Sequence, residues 1–161
     1  MKKIVSALLV IVLVLSMIPV TAMAAETTAT LSFASTAQRV SQDSNSQVWA
    51  QNGITFTNNK GASTTPVANY SNPVRLYANS DVIIEYPGMT KIVIDCTSLD
   101  AKYVNGWADS FSANATATVE NNIVTIELAE AADSFVWEQM SAQSRAYNIT
   151  VYGAAAEPEV P

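Results

Sequence analysis

NSDVIIEYPGMTKIVIDC, residues 79–96, decides how this chain folds. Val82, Ile84 and Tyr86 alternate with Ile83 and Glu85, Pro87-Gly88 interrupts the run, and Ile92 and Ile94 alternate with Lys91, Val93 and Asp95. A period of two over runs this short marks strands, and the break between them predicts a hairpin. Register follows from the side chains, because a slip of one residue sends a strand's apolar set to the wrong face. A two-residue Pro87-Gly88 turn would set Ile84 against Lys91 and Asp81 against Ile94. A three-residue Pro87-Gly88-Met89 connection, with Gly88 at positive φ, instead pairs Val82 with Ile94 and Ile84 with Ile92. It also sets Glu85 against Lys91 as a cross-strand ion pair and Ile83 against Val93, next to Asp81 and Asp95.

The segments on either side continue the pattern. Before the hairpin, Val74-Arg75-Leu76-Tyr77 is a short strand, preceded by a long polar connection, residues 62–73, in which only Val67 and Tyr70 are large and apolar. After it, the run from Leu99 to Phe111 lacks alternation and holds a helical turn from Asp100 to Asn105 that stops at Gly106. A second hairpin is expected from Ala113 to Leu128. Its turn is Asn121-Asn122, since Asn tolerates positive φ, and this pairs Val119 with Val124, Ala117 with Ile126 and Ala115 with Leu128. Phe135 and Trp137 make a further strand, and Tyr147, Ile149 and Val151 the last.

Farther out, Leu31 and Phe33 mark a first strand, and the polar segment from Ser35 to Gln47 reads as a loop. Within it Asp43, Asn45 and Gln47 alternate oxygen-bearing side chains, which could suit a structural calcium ion but is also how polar loops ordinarily read, so no cofactor is expected. Ile54 to Thr57 form a strand that Asn58 to Gly61 close. Eight or nine short strands and no long amphipathic helix predict an all-β chain, an antiparallel β-sandwich of jelly-roll type.

Residues 1–24 read as a cleaved signal peptide: Lys2-Lys3, the apolar run Ile4 to Val20, then Ala22-Met23-Ala24 as an A-x-A site. No cysteine stands there to take a lipid anchor. Residues 25–153 then form one domain, and AAAEPEVP, residues 154–161, resembles a linker to further modules. The expected location is secreted or extracellular, held at a surface only through a downstream module, with no membrane insertion after cleavage. The net charge of −6 becomes more negative once Lys2 and Lys3 are lost. Nucleic acid is therefore a poor partner, and a neutral or cationic ligand fits the overall charge better. The lone Cys96 continues the Ile92/Ile94 face as a small core residue.

The blocks QVWAQNGITFTNN (47–59), VANYSNPVRLY (67–77) and IIEYPGMTKIVIDC (83–96), with the closing DSFVW and YNITVY, resemble β-sandwich modules in large secreted and surface proteins of gut Firmicutes. Such modules look like galactose-binding and carbohydrate-binding jelly rolls in general build. The resemblance implies an accessory, non-catalytic role, by analogy of fold.

Chemistry is sparse. The chain has no histidine, which removes the Ser-His-Asp and Cys-His constellations. Asp81 and Asp95, as neighbours on the outer face of the central hairpin, are the one carboxylate pair with a glycosidase flavour, and solvated acids at strand ends explain them better. Aromatic residues are the stronger lead, because sugar rings stack on Trp and Tyr. Trp49 and Trp137 fall on or beside strands and belong to the core. Trp107 and Tyr103, in the irregular segment, and Tyr70, in the long connection, are candidates for display. Arg75 faces away from Val74 and Leu76, free to orient a ligand or to pair with an acid on the neighbouring strand. The candidate ligand-binding residues are thus Tyr70, Arg75, Tyr103 and Trp107. Two function classes remain: a binding module for a neutral glycan or a cell-surface protein, and a structural spacer. An exposed aromatic cleft favours the first, and three buried Trp the second.

Overall fold

A computed structural model describes residues 26–111 and 114–154. The expected signal peptide, the first residue expected in the second hairpin (Ala113) and the tail beyond Ala154 lie outside the described residues. Among the described residues ten strands run in the order β1 (Glu26–Ser32), β2 (Arg39–Gln42), β3 (Ser46–Gln51), β4 (Ile54–Asn59), β5 (Val74–Leu76), β6 (Asp81–Asp95), β7 (Ala115–Glu120), β8 (Ile123–Trp137), β9 (Ser144–Ala146) and β10 (Asn148–Ala154).

The central stretch is a single strand of 15 residues rather than a hairpin. The chain does not reverse at Pro87-Gly88; it bends. Glu85 pairs with Ser134, Met89 with Ala132 and Lys91 with Glu127, so the register against β8 shifts twice across the corner. Gly88 takes φ 60° there and donates its N–H to Asp133 Oδ1 at 2.8 Å. A bulge accepts a positive-φ glycine and a proline with no N–H to offer, which is why the dipeptide fits a corner as well as a turn.

On one edge, the first half of β6 pairs with β4 and the second half with β10, while β8 follows β6 along the other edge. The result is a curled antiparallel sheet in the order β1-β10-β6-β4-β3-β2, with β8 and β7 on the far side of β6. Its ends approach each other: Ser32 N–H donates to Gln51 Oε1 at 2.8 Å and Asn52 Nδ2 to Thr30 O at 2.9 Å. Phe33 fills the curl, with its ring 5.2 Å from Trp49 and 5.1 Å from Phe56, both edge-on.

Alternation assigned the faces correctly although the pairing differs. Val82, Ile84, Ile92 and Ile94 are fully buried, as are Val124 and Ile126. Val82 lies between Asn58 and Trp137, and Ile94 between Ile149 and Val124, rather than against each other. The expected Glu85–Lys91 ion pair is likewise replaced. Glu85 stands opposite Thr55 and Ser134, and the Lys91 ammonium sits 3.9 Å from the Tyr152 ring centroid.

The second hairpin has the expected register, with Asn121 and Asn122 both at positive φ. The polar segment before Gln47 is not all loop, since β2 pairs with β3 within it. In place of one helical turn, two 3-10 turns, Ala101–Tyr103 and Asn105–Trp107, follow each other. Gly106 lies inside the second rather than ending the first. A Cβ there would collide with Ser144 Oγ and Ala142 O, so the missing side chain lets this turn lie directly against β9.

Candidate functional site

Outside the large sheet, β5 and β9 form a two-stranded antiparallel pair, and its register sets Arg75 directly opposite Arg145. Val74, Leu76, Ser144 and Ala146 are buried on the inner side, so both arginines leave from the outer one. Of the two alternatives for Arg75, an acid partner on the neighbouring strand is therefore replaced by a second cation.

Each strand is held from beneath. Asn58, almost fully buried, donates Nδ2 to Arg75 O at 3.3 Å, and buried Gln47 donates Nε2 to Tyr70 O at 3.3 Å. On the other strand, Arg145 O accepts from Trp107 Nε1 at 2.9 Å and from Cys96 Sγ at 3.2 Å. Arg39 Nη1 donates to Asn69 Oδ1, beside Tyr70. Backbone and connection are thus fixed by buried side chains while the outer face stays accessible.

On that face the Arg75 guanidinium lies 3.7 Å from the Tyr70 ring centroid and that of Arg145 lies 3.6 Å from the Tyr103 ring. Lys102 Nζ approaches the same Tyr103 ring at 4.9 Å. Tyr70 remains 39% exposed, while Arg75, Arg145 and Tyr103 are half-buried. Neither arginine has a carboxylate within ion-pair distance among the described residues; the ion pair there joins Lys102 to Asp100 at 3.5 Å. The Nε of both arginines is buried without an acceptor.

Magnitudes say what this arrangement is for. A guanidinium over a ring gains about 0.5–2 kcal/mol. An unmet buried donor costs about 1–3 kcal/mol, and like charges directly opposite oppose each other. These terms are of similar size and opposite sign, so the cluster adds little net stability. It holds two planar cationic forks and two phenol rings in fixed positions.

Of the residues the sequence singled out, Tyr70, Arg75 and Tyr103 come together here. Trp107 does not join them on the surface. Its ring is fully buried, 5.3 Å from Trp137 at 81°, and its carbonyl accepts from Trp137 Nε1 at 3.0 Å. The irregular segment that carries it packs inward under β9, so Trp107 supports the site from below. Trp49 and Trp137 are also fully buried, as expected. The sequence does not mark Arg145 as outward-facing on a strand, because Ser144 and Ala146 are too small to give a hydrophobic period. The signal that was there is a cation between two small residues in a chain with few cations.

The other candidates are dispersed. Asp81 and Asp95 stand at opposite ends of β6, which the loss of the hairpin requires. Asp81 Oδ1 accepts Gln139 N–H at 2.9 Å beside an open groove of about 440 Å³ lined in part by Gly61 and Glu138. Asp95 is partly buried, which works against its charge. Hydrogen bonds from Thr97 Oγ1, Thr97 N–H and Asn148 Nδ2 outweigh that and hold its carboxyl below the usual range. In the calcium candidate, Asp43 Oδ1 is occupied by the N–H groups of Asn45 and Ser46, and Gln47 points into the core. Burial, reinforced by neighbouring Asp95, pushes the Cys96 thiol up to about 12, so it stays protonated and unreactive.

No family model, curated protein or solved structure matches this chain.

Proposed function

We propose that this chain is a non-catalytic extracellular binding module, a β-sandwich behind a cleaved export signal, that holds a glycan on the outer face of the β5–β9 pair. The observation that carries the reading is the register pairing of Arg75 with Arg145, each laid on a tyrosine ring and neither neutralised by a carboxylate among the described residues. Rings and forked donors side by side are what saccharide recognition uses: apolar sugar faces against aromatic faces, hydroxyl and acidic oxygens against N–H groups. No nucleophile with an adjacent base accompanies them among the described residues, and the chain has no histidine, so the face binds without reacting.

One observation favours a second reading, a structural spacer between other modules: all three tryptophans are spent on the core. A glycan array separates the two. Wild type should retain a defined subset of glycans, and the Arg75→Ala/Arg145→Ala double variant, with an unchanged thermal midpoint, should lose them. An array that stays blank for wild type leaves the spacer.

A further inference from the structure

We infer that the β5–β9 face takes an acidic saccharide, with a carboxylate or sulfate oxyanion bridging the Arg75 and Arg145 guanidinium groups. This rests on the reading of that face as the binding face, and adds the charge of the ligand.

The chain as a whole argues the other way, because it is acidic. Placement reverses the argument. Beyond Lys3 the cations are Arg39, Lys60, Arg75, Lys91, Lys102 and Arg145, and three of them, Arg75, Lys102 and Arg145, gather at the two tyrosines of this one face; Asp100, 3.5 Å from Lys102, offsets that lysine, so the two arginines carry the local charge. At physiological salt, charges farther apart than about 8 Å are largely screened, so the local cluster decides what docks and the distant acids do not.

Chemistry narrows the ligand further. Two arginines fixed opposite each other repel until something negative lies between them, and a neutral hydroxyl does not relieve that repulsion. A carboxylate or sulfate does, and its oxygens match the guanidinium fork. Arginine rather than lysine at both register positions points the same way, since only the fork both stacks on a ring and presents paired donors. Tyr70, still open to solvent, gives the sugar ring that bears the anion an apolar surface to lie on. An acidic peptide would satisfy the charges and leave that ring without a partner.

Calorimetry tests this with five probes: an oligouronate, its methyl-esterified form, a sulfated oligosaccharide, its desulfated form and poly-L-glutamate. At least one charged saccharide should bind, and which of the two binds tells carboxylate from sulfate. Its neutralised form should bind at least about tenfold more weakly, the effect expected from losing a charge-assisted hydrogen bond. Arg75→Gln and Arg145→Gln should each cost a similar factor without moving the thermal midpoint. As a check that needs no variant, wild-type affinity should fall as salt rises from about 50 to 300 mM. Equal binding of charged and neutralised forms overturns the inference and leaves the glycan reading standing. Poly-L-glutamate binding as tightly as the saccharides overturns the inference as well. Failure of every probe, neutral ones included, removes both.

Discussion

Trp107→Ala lowers the stability of the domain by about 3–5 kcal/mol, the range for deleting a large buried aromatic side chain. The ring is fully enclosed and meets Trp137 edge-on, a geometry that adds to the area it buries. Truncation also removes the Nε1 donor to Arg145 O, leaving that carbonyl the weak Cys96 thiol alone. Denaturant titration measures the loss. A change under about 0.5 kcal/mol would put the ring at the surface, where substitutions usually fall within that limit. The consequence for function is practical: Trp107→Ala disturbs β9 along with the core, so it says little about a ligand. The outward-facing, half-buried arginines are the informative positions.

Gly153→Ala is expected to cost about 1–3 kcal/mol, the usual penalty for forcing a methyl group into packed structure. A Cβ on Gly153 would stand 2.7 Å from Pro87 O and 2.9 Å from Tyr86 Cε1. The tyrosine ring can swing aside. The proline carbonyl belongs to the corner of β6 and cannot move without disturbing the bulge. Were Pro87-Gly88 the tip of a free hairpin, nothing would stand over Gly153 and the substitution would be close to neutral. Thermal unfolding of this variant therefore distinguishes the bent strand from the hairpin.

That distinction also marks how far the sequence could be read. Alternation states which face a residue occupies, and Val82, Ile84, Ile92 and Ile94 occupy the faces it predicts. It is silent on which strand lies alongside. A bulge that keeps the apolar set inward is indistinguishable, by period alone, from a turn that does the same, and Pro-Gly serves both. The Asn121-Asn122 hairpin was legible because a two-residue turn leaves one register that puts Val124 and Ile126 inside. In the candidate site, Tyr70, Arg75 and Tyr103 could be picked out by type and by their place in irregular or outward-facing positions. Their convergence could not, because it depends on β9, three residues with no large apolar side chain, finding β5 some seventy residues earlier. Trp107 was misplaced for a related reason. Irregular backbone suggested exposure, whereas the absence of a side chain at Gly106 lets that backbone lie flat against β9 and turn the indole inward.

The pairing of β5 with β9 underlies the site, its charge and its proposed ligand, and one cross-link tests it directly. Residues directly opposite on antiparallel strands have Cα atoms about 4.5–5.5 Å apart, within the span a disulfide bridges. The Arg75→Cys/Arg145→Cys variant, oxidised in its folded state and mapped by peptide mass spectrometry without reduction, should contain a bond between the two introduced thiols. Cys96, buried and with its thiol pushed up to about 12, should remain free. Two introduced thiols that both stay open to alkylation in the folded, oxidised protein would contradict the register, and with it the shared face of Arg75 and Arg145.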